Sequence, residues 1–126
     1  MRTAIDTNVI SGLWSSGPIA SEMVALLGNI QDEGGLVVCR PVYAELLAHL
    51  KATEQFVDEF LSTTAIMVDY DLSEEVWREA GRRFAAYSER RRQSHGSNPK
   101  RLLVDFLIGA HALLCADRLL TLDRDR

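Results

Sequence analysis

The chain has 126 residues, 47% hydrophobic and 25% charged, with a formal net charge of −4 at pH 7. That length suits one domain with a real core, and no apolar run approaches the ~20 residues that would span a bilayer as a helix. A negative balance argues against nucleic acid as a partner, but eight of the fourteen basic residues fall within 78–101 (Arg78, Arg82, Arg83, Arg90, Arg91, Arg92, Lys100, Arg101), beside only Glu79 and Glu89. A basic arm on an acidic body is therefore expected. Cys39 and Cys115 sit in apolar surroundings and read as reduced thiols of a cytoplasmic protein. Met1-Arg2 leads directly into the first strand, which leaves no room for a signal peptide.

From the N-terminus, residues 2–6 predict a short buried strand ending on Asp6. Residues 7–14 begin a short helix that Gly17-Pro18 breaks. Ile19, Met23, Leu26, Leu27 and Ile30 then recur at helical spacing as far as Glu33-Gly34-Gly35. Leu36-Val37-Val38-Cys39 reads as a strand buried on both faces. Pro41 fits the first turn of a helix carrying Val42, Glu45, Leu46, His49 and Leu50. A helix over 53–63 turns Phe56, Val57, Phe60 and Leu61 inward, and residues 65–68 form a third strand. Ser73 caps a long helix, 74–92, with early acids Glu74 and Glu75 and an apolar stripe of Val76, Ala80, Phe84 and Tyr87. After a loop over 94–99, a helix runs from Leu102 to Leu114, and a fourth strand, Leu119–Leu122, ends on Asp123. Short apolar strands alternating with helices predict an α/β fold with a parallel sheet. No repeat or linker divides the chain, so a single domain over 1–126 is expected.

Four acids stand out. Asp6 and Asp123 each follow a strand directly, so in a parallel sheet both emerge at the carboxyl edge, where ligands bind in such folds. Glu45 lies about one turn into its helix among apolar neighbours, and Asp105 interrupts an apolar helix start. On that helix Gly109 and Ala112 share a face with Asp105, which would let it pack close to the sheet. Singly, each acid has an ordinary account: Asp6 as a helix cap, Glu45 as a partly exposed helix residue, Asp123 as the cap of a terminal turn. Asp105 is harder to account for, because capping acids sit in polar contexts. Together, acids converging on one edge repel and do not all ionise without a cation. Oxygen ligands in that number suit a hard divalent ion such as Mg²⁺, which phosphodiester hydrolysis uses to activate water and neutralise the leaving oxygen.

In order, Asp6-Thr7-Asn8-Val9, Ala44-Glu45-Leu46, Asp105 to Ala112 (DFLIGAHA) and Leu119-Leu120-Thr121-Leu122-Asp123 resemble the motifs of the PIN-domain ribonucleases, and in particular the VapC-type toxins of toxin–antitoxin pairs. The resemblance implies a three-layer α/β/α sandwich around a parallel sheet of four or five strands. It implies an acidic pocket of Asp6, Glu45, Asp105 and Asp123 holding one or two Mg²⁺ or Mn²⁺ ions, with Thr7, Asn8 and Thr121 in support. The implied reaction is endonucleolytic RNA cleavage leaving a 5′-phosphate and a 3′-hydroxyl. The implied partners are a second copy of the chain and an antitoxin whose C-terminal segment fills the cleft. The chain departs from the pattern after Asp123, where the family continues into a further edge strand; Asp125 ranks behind Asp123 as an alternative ligand.

Arg90, Arg91, Arg92, Lys100 and Arg101 flank the loop before Asp105 and read either as a solvated helix face or as phosphate contacts for RNA. His49 and His111 lack partners at metal-motif spacing and read as structural. Tyr87, Trp14 and Trp77 read first as core. Two rival functions stay open. In a phosphohydrolase or phospho-acceptor domain Asp6 would be a nucleophile, although no second acid adjoins it and no lysine follows strand four. An inactive module would bind RNA or protein without cleaving.

Overall fold

The computed structural model describes residues 1–15, 18–50, 52–94 and 101–122, apart from the side chains of Pro18 and Ile19. The elements in chain order are β1 (Thr3–Ile5), α1 (Thr7–Trp14), α2 (Pro18–Glu33), β2 (Leu36–Cys39), α3 (Arg40–Leu46), α4 (Glu54–Thr63), β3 (Ile66–Asp69), α5 (Glu74–Gln93), α6 (Leu103–Cys115) and β4 (Arg118–Leu120). The four strands form one sheet in the order β3-β2-β1-β4. Every neighbouring pair is parallel, with Thr3 opposite both Leu36 and Arg118. β1 and β2 are interior and buried throughout, as expected for unbroken apolar runs covered on both faces.

Side chains alternate across a strand, and this sorts the core into layers. Ile5, Leu36 and Val38 point to one face and pack with Val9, Ile10, Val42, Leu46, Val57 and Leu61 from α1, α3 and α4. Ala4 and Val37 point to the other and meet Ala112 of α6. α5 then packs on α6 through Val76, Ala80, Leu107 and Ala110. The result is a three-layer α/β/α sandwich. Small residues on the α6 side (Ala4, Ala112) bring that helix near the sheet. Among the described residues no helix is long and apolar enough to cross a membrane.

Several local expectations need correction. The helix opened by Pro41 ends at Leu46, and Ala48 and His49 donate backbone hydrogen bonds three residues back, to Glu45 and Leu46. His49 and Leu50 therefore lie beyond it, and Leu50 is fully exposed. In α4 Val57 and Leu61 are buried and Phe60 packs against the same core, while Phe56 is partly exposed and lies edge-on to the Trp14 ring. Ala65 is not strand: it closes α4 at φ 56°, the left-handed geometry that ends many helices and usually takes glycine. β4 ends at Leu120, leaving Thr121 and Leu122 beyond the ladder. Gly109 is not what lets α6 approach the sheet, because a Cβ there would meet nothing within 4 Å. The loop over 94–99 lies almost wholly outside the described residues. Trp14 is core, as expected, but Trp77 is half exposed.

Ile10 is fully buried in the layer between the sheet and α1. Ile10→Ala should destabilise the fold by about 2–5 kcal/mol, seen as a lower urea midpoint at unchanged slope.

Candidate active site

β1 has β2 on one side and β4 on the other, so Asp6, the next residue, emerges in the middle of the carboxyl edge. Asp6 is still extended (φ −78°, ψ 153°) and is also the N-cap of α1. Its N–H donates to the Leu120 carbonyl at 2.9 Å, continuing the β1–β4 ladder. Its Oδ1 accepts from the Thr7 N–H at 2.8 Å, and its Oδ2 accepts from the Thr121 hydroxyl at 2.7 Å. At 2% exposure it is the one buried acid among the described residues. Burying a carboxylate is costly unless donors answer it, and here neighbours on both sides of the strand end do so. The helix-cap account and the strand-edge account of Asp6 are thus both correct.

The supporting residues form a chain across the edge. The Thr7 hydroxyl donates to Glu45 Oε1 at 2.6 Å, so Thr7 touches Asp6 through its backbone and Glu45 through its side chain. Glu45 is exposed in the last turn of α3. Asn8 Oδ1 accepts from the Leu122 N–H at 3.1 Å, and its amide nitrogen donates a longer bond, 3.4 Å, to the Thr121 hydroxyl. Residues 121 and 122 are thereby held against the first turn of α1.

Asp105 is the third residue of α6, and its Oδ2 accepts from the Leu102 N–H at 2.9 Å. It performs the capping role that its apolar surroundings argued against. It also lines a cleft of about 630 Å³ with Arg83, Tyr87, Arg90, Phe106, Arg101 and Arg118. The carboxylate oxygens of Asp6, Glu45 and Asp105 do not all close to within 4.8 Å of one another. The three-donor group that does so among the described residues is Asp69, His111 and Cys115. Asp123, Asp125 and Lys100 lie outside the described residues.

The basic arm divides. Arg78 pairs with Glu74, Arg82 and Arg83 with Glu79, and Arg92 with Glu89, all within α5 and mostly exposed. Hydrogen bonds from Arg83 and then Arg82 hold the Glu79 carboxyl below its ordinary range, and Arg92 does the same for Glu89. Arg78, Arg82 and Arg92 fit a solvated, self-paired helix face, where each pair contributes little. Arg90 and Arg101 share the cleft with Asp105, as does Arg83 while paired to Glu79. The Arg101 N–H donates to the Tyr87 hydroxyl at 3.2 Å, and the Tyr87 ring lies 5.5 Å from that of Phe106, so Tyr87 is a half-buried cleft wall.

His49 packs edge-on against Trp14, with ring centroids 5.2 Å apart, and is structural. His111 has the partner that sequence reasoning missed: its Nε2 lies 3.0 Å from Asp69 Oδ2. The available signal was the four-residue spacing of His111 and Cys115 on an apolar helix.

The acidic residues fit a hard cation by donor chemistry, since carboxylate and hydroxyl oxygens are what Mg²⁺ and Mn²⁺ take. Their field also reaches Cys39. Burial pushes that thiol up to about 11 from 9.0; backbone hydrogen bonds at Val42 and Cys39 oppose the shift, and the charges of Asp6 and Glu45 add to it. Both carboxylates therefore act on one buried atom at the end of β2.

The PIN domain family model matches residues 3–125. No curated protein matches the sequence. Among solved structures, the chain is similar to one in VapBC2 from Rickettsia felis bound to a DNA fragment from their promoter. The TM-score is 0.56 at 19% identity, over 98% of this chain and 88% of that one, a likeness of fold.

Cys39 makes stability fall at high pH. Below about pH 9 both the folded and unfolded thiols keep their proton, and the contribution is constant. Between 9.0 and about 11 the unfolded chain ionises first, so stability is lost as pH rises. Urea midpoints should drop from about pH 8 to about pH 10.5, and Cys39→Ala should reduce the drop.

Proposed function

The chain belongs to the PIN domain family, and from that premise we propose that it is a metal-dependent endoribonuclease, the toxin of a toxin–antitoxin pair. The observation that carries this reading is the buried Asp6 carboxylate at the centre of the sheet edge, tied to Thr121 and, through Thr7, to Glu45. In this proposal Asp6, Glu45, Asp105 and Asp123 hold one or two Mg²⁺ or Mn²⁺ ions. Such an ion, when bound, makes a water acidic enough to attack a phosphodiester and neutralises charge on the leaving oxygen.

The chain's own residues bind and orient. Thr7 and Thr121 fix the rotamers of Glu45 and Asp6, and Asn8 keeps the end of β4 in place, as outer-shell partners do around metal ligands. Arg90, Arg91, Arg92, Lys100 and Arg101 are proposed phosphate contacts. Arg90 and Arg101 have the firmest support, because they share a cleft with Asp105. Such contacts set the position of an RNA strand without reading its sequence. The products are a 5′-phosphate and a 3′-hydroxyl. A nucleophilic role for Asp6 is disfavoured because no second acid adjoins it in sequence and no lysine follows β4.

The partner proposals are a cognate antitoxin and a second copy of the chain, in the cytoplasm. The first is supported by the fold's likeness to a chain of a VapBC2 complex. Both draw on exposed apolar side chains, among them Trp77, Leu113 and Leu114, since apolar surface in quantity marks interaction sites. A single PIN domain over 1–126 is the corresponding domain proposal.

Asp6→Asn tests the site. The amide oxygen still accepts from Thr7 and the amide nitrogen donates to Thr121, so the fold should survive with an unchanged circular dichroism spectrum. Mg²⁺-dependent cleavage of total RNA should fall by roughly 100-fold or more with the loss of a ligand carboxylate. Cleavage at the wild-type rate would overturn the assignment.

A further inference from the structure

We propose that Asp69, His111 and Cys115 form a second, separate metal site, for one transition-metal ion of the zinc class, which pins α6 to the end of β3. Asp69 is the last residue of β3, and His111 and Cys115 are four apart on α6, so both helix residues share a face. The imidazole nitrogen, the sulfur and a carboxylate oxygen all lie within 4.8 Å of one another. The nitrogen and oxygen are already 3.0 Å apart. A tetrahedral ion at ordinary Zn–N, Zn–O and Zn–S lengths sets its ligands roughly 3.3–3.6 Å apart. The ion would replace the proton shared between His111 and Asp69 and hold the sulfur at bonding distance.

Donor chemistry separates this site from the acidic edge. Imidazole with thiolate selects zinc-class ions over Mg²⁺. His111 is 1% exposed, whereas the Asp69 side chain is 29% exposed, so solvent and a metal reach the group from the Asp69 side and a water can fill the fourth position. A dication binding here takes the thiolate form of Cys115 and displaces its proton. A hydrogen bond between His111 and Asp69 accounts for the buried imidazole alone. It does not account for a third donor, one helical turn on, at the same point.

His111 follows Asp105 by six residues, about 9 Å along the helix axis. An ion held here would fix the helix that carries Asp105 while sharing no ligand with the acidic edge, and its effect is read without RNA.

The test uses the full chain with one equivalent of Co²⁺ in excess Mg²⁺, so that oxygen-only sites are filled. The expected result is a thiolate-to-cobalt charge-transfer band with tetrahedral visible bands, bleached by one equivalent of Zn²⁺. Cys115→Ser should lose the band with its circular dichroism spectrum unchanged, and Asp69→Asn should weaken Zn²⁺ binding by roughly tenfold or more. In the unaltered protein, Zn²⁺ should protect Cys115 from iodoacetamide, a readout that needs no variant. Absence of the band, its persistence in Cys115→Ser, or alkylation of Cys115 undiminished by Zn²⁺ would each overturn the proposal.

Discussion

A carboxylate at 2% exposure persists only if donors reach its oxygens, and at Asp6 those donors come from two different parts of the chain. Thr7 is the next residue, and its N–H is one of the unsatisfied donors at the start of α1. Thr121 lies 115 positions away and arrives because β4 pairs with β1 in register, Ile5 opposite Leu120. The Thr121–Asp6 hydrogen bond is therefore both a condition for burying Asp6 and a consequence of the sheet order. A one-residue slip of β4 would turn the alternate residues to the other face and remove the donor. The N–H of Asp6 on the Leu120 carbonyl fixes the same register from the backbone side.

The layers follow from the alternation within β1 and β2. Bulky Ile5 and Val38 fill the face toward α1, α3 and α4, and Ala4 with Ala112 brings α6 close on the other. This gives each functional side chain its address. Glu45 arrives at the edge because α3 begins immediately after β2, and Asp105 because α6 starts near the same end and spans the sheet. Thr7 joins the first of these to Asp6, while Asp105 faces the arginine-lined cleft. Asp6 with Thr7, Glu45 and Thr121 thus makes one cluster at the strand ends, and Asp105 with Arg90 and Arg101 lines the cleft beside α5 and α6.

Most of the architecture was legible because the strands are short apolar runs and the helices carry clear caps, such as Ser73 accepting from the Val76 N–H. The misplaced boundaries share a cause. Ala65, His49 and Leu122 adjoin elements whose apolar pattern runs on past the point where hydrogen bonding stops, and periodicity cannot see that. Asp6, Glu45 and Thr121 were legible as a set because order along the chain is preserved in the motif. Asp105 was misjudged as to its cap, since Leu102 hides a backbone donor behind an apolar side chain. The arginines were ambiguous for a different reason: their pairing with Glu74, Glu79 and Glu89 is local, while the position of Arg90 and Arg101 depends on how α5 packs on α6. The His111–Asp69 contact spans 42 residues and leaves only a faint local trace, the histidine and cysteine one turn apart.

The proposed function requires carboxylates at this edge to hold a hard divalent ion. Electron paramagnetic resonance of Mn²⁺ titrated into the full chain reads this without any substrate. One or two Mn²⁺ should bind per chain and be released by Mg²⁺, with affinity lowered by roughly tenfold or more in Asp105→Asn. An unaltered chain that leaves Mn²⁺ free in solution, or an Asp105→Asn chain that binds it as tightly as before, would contradict it.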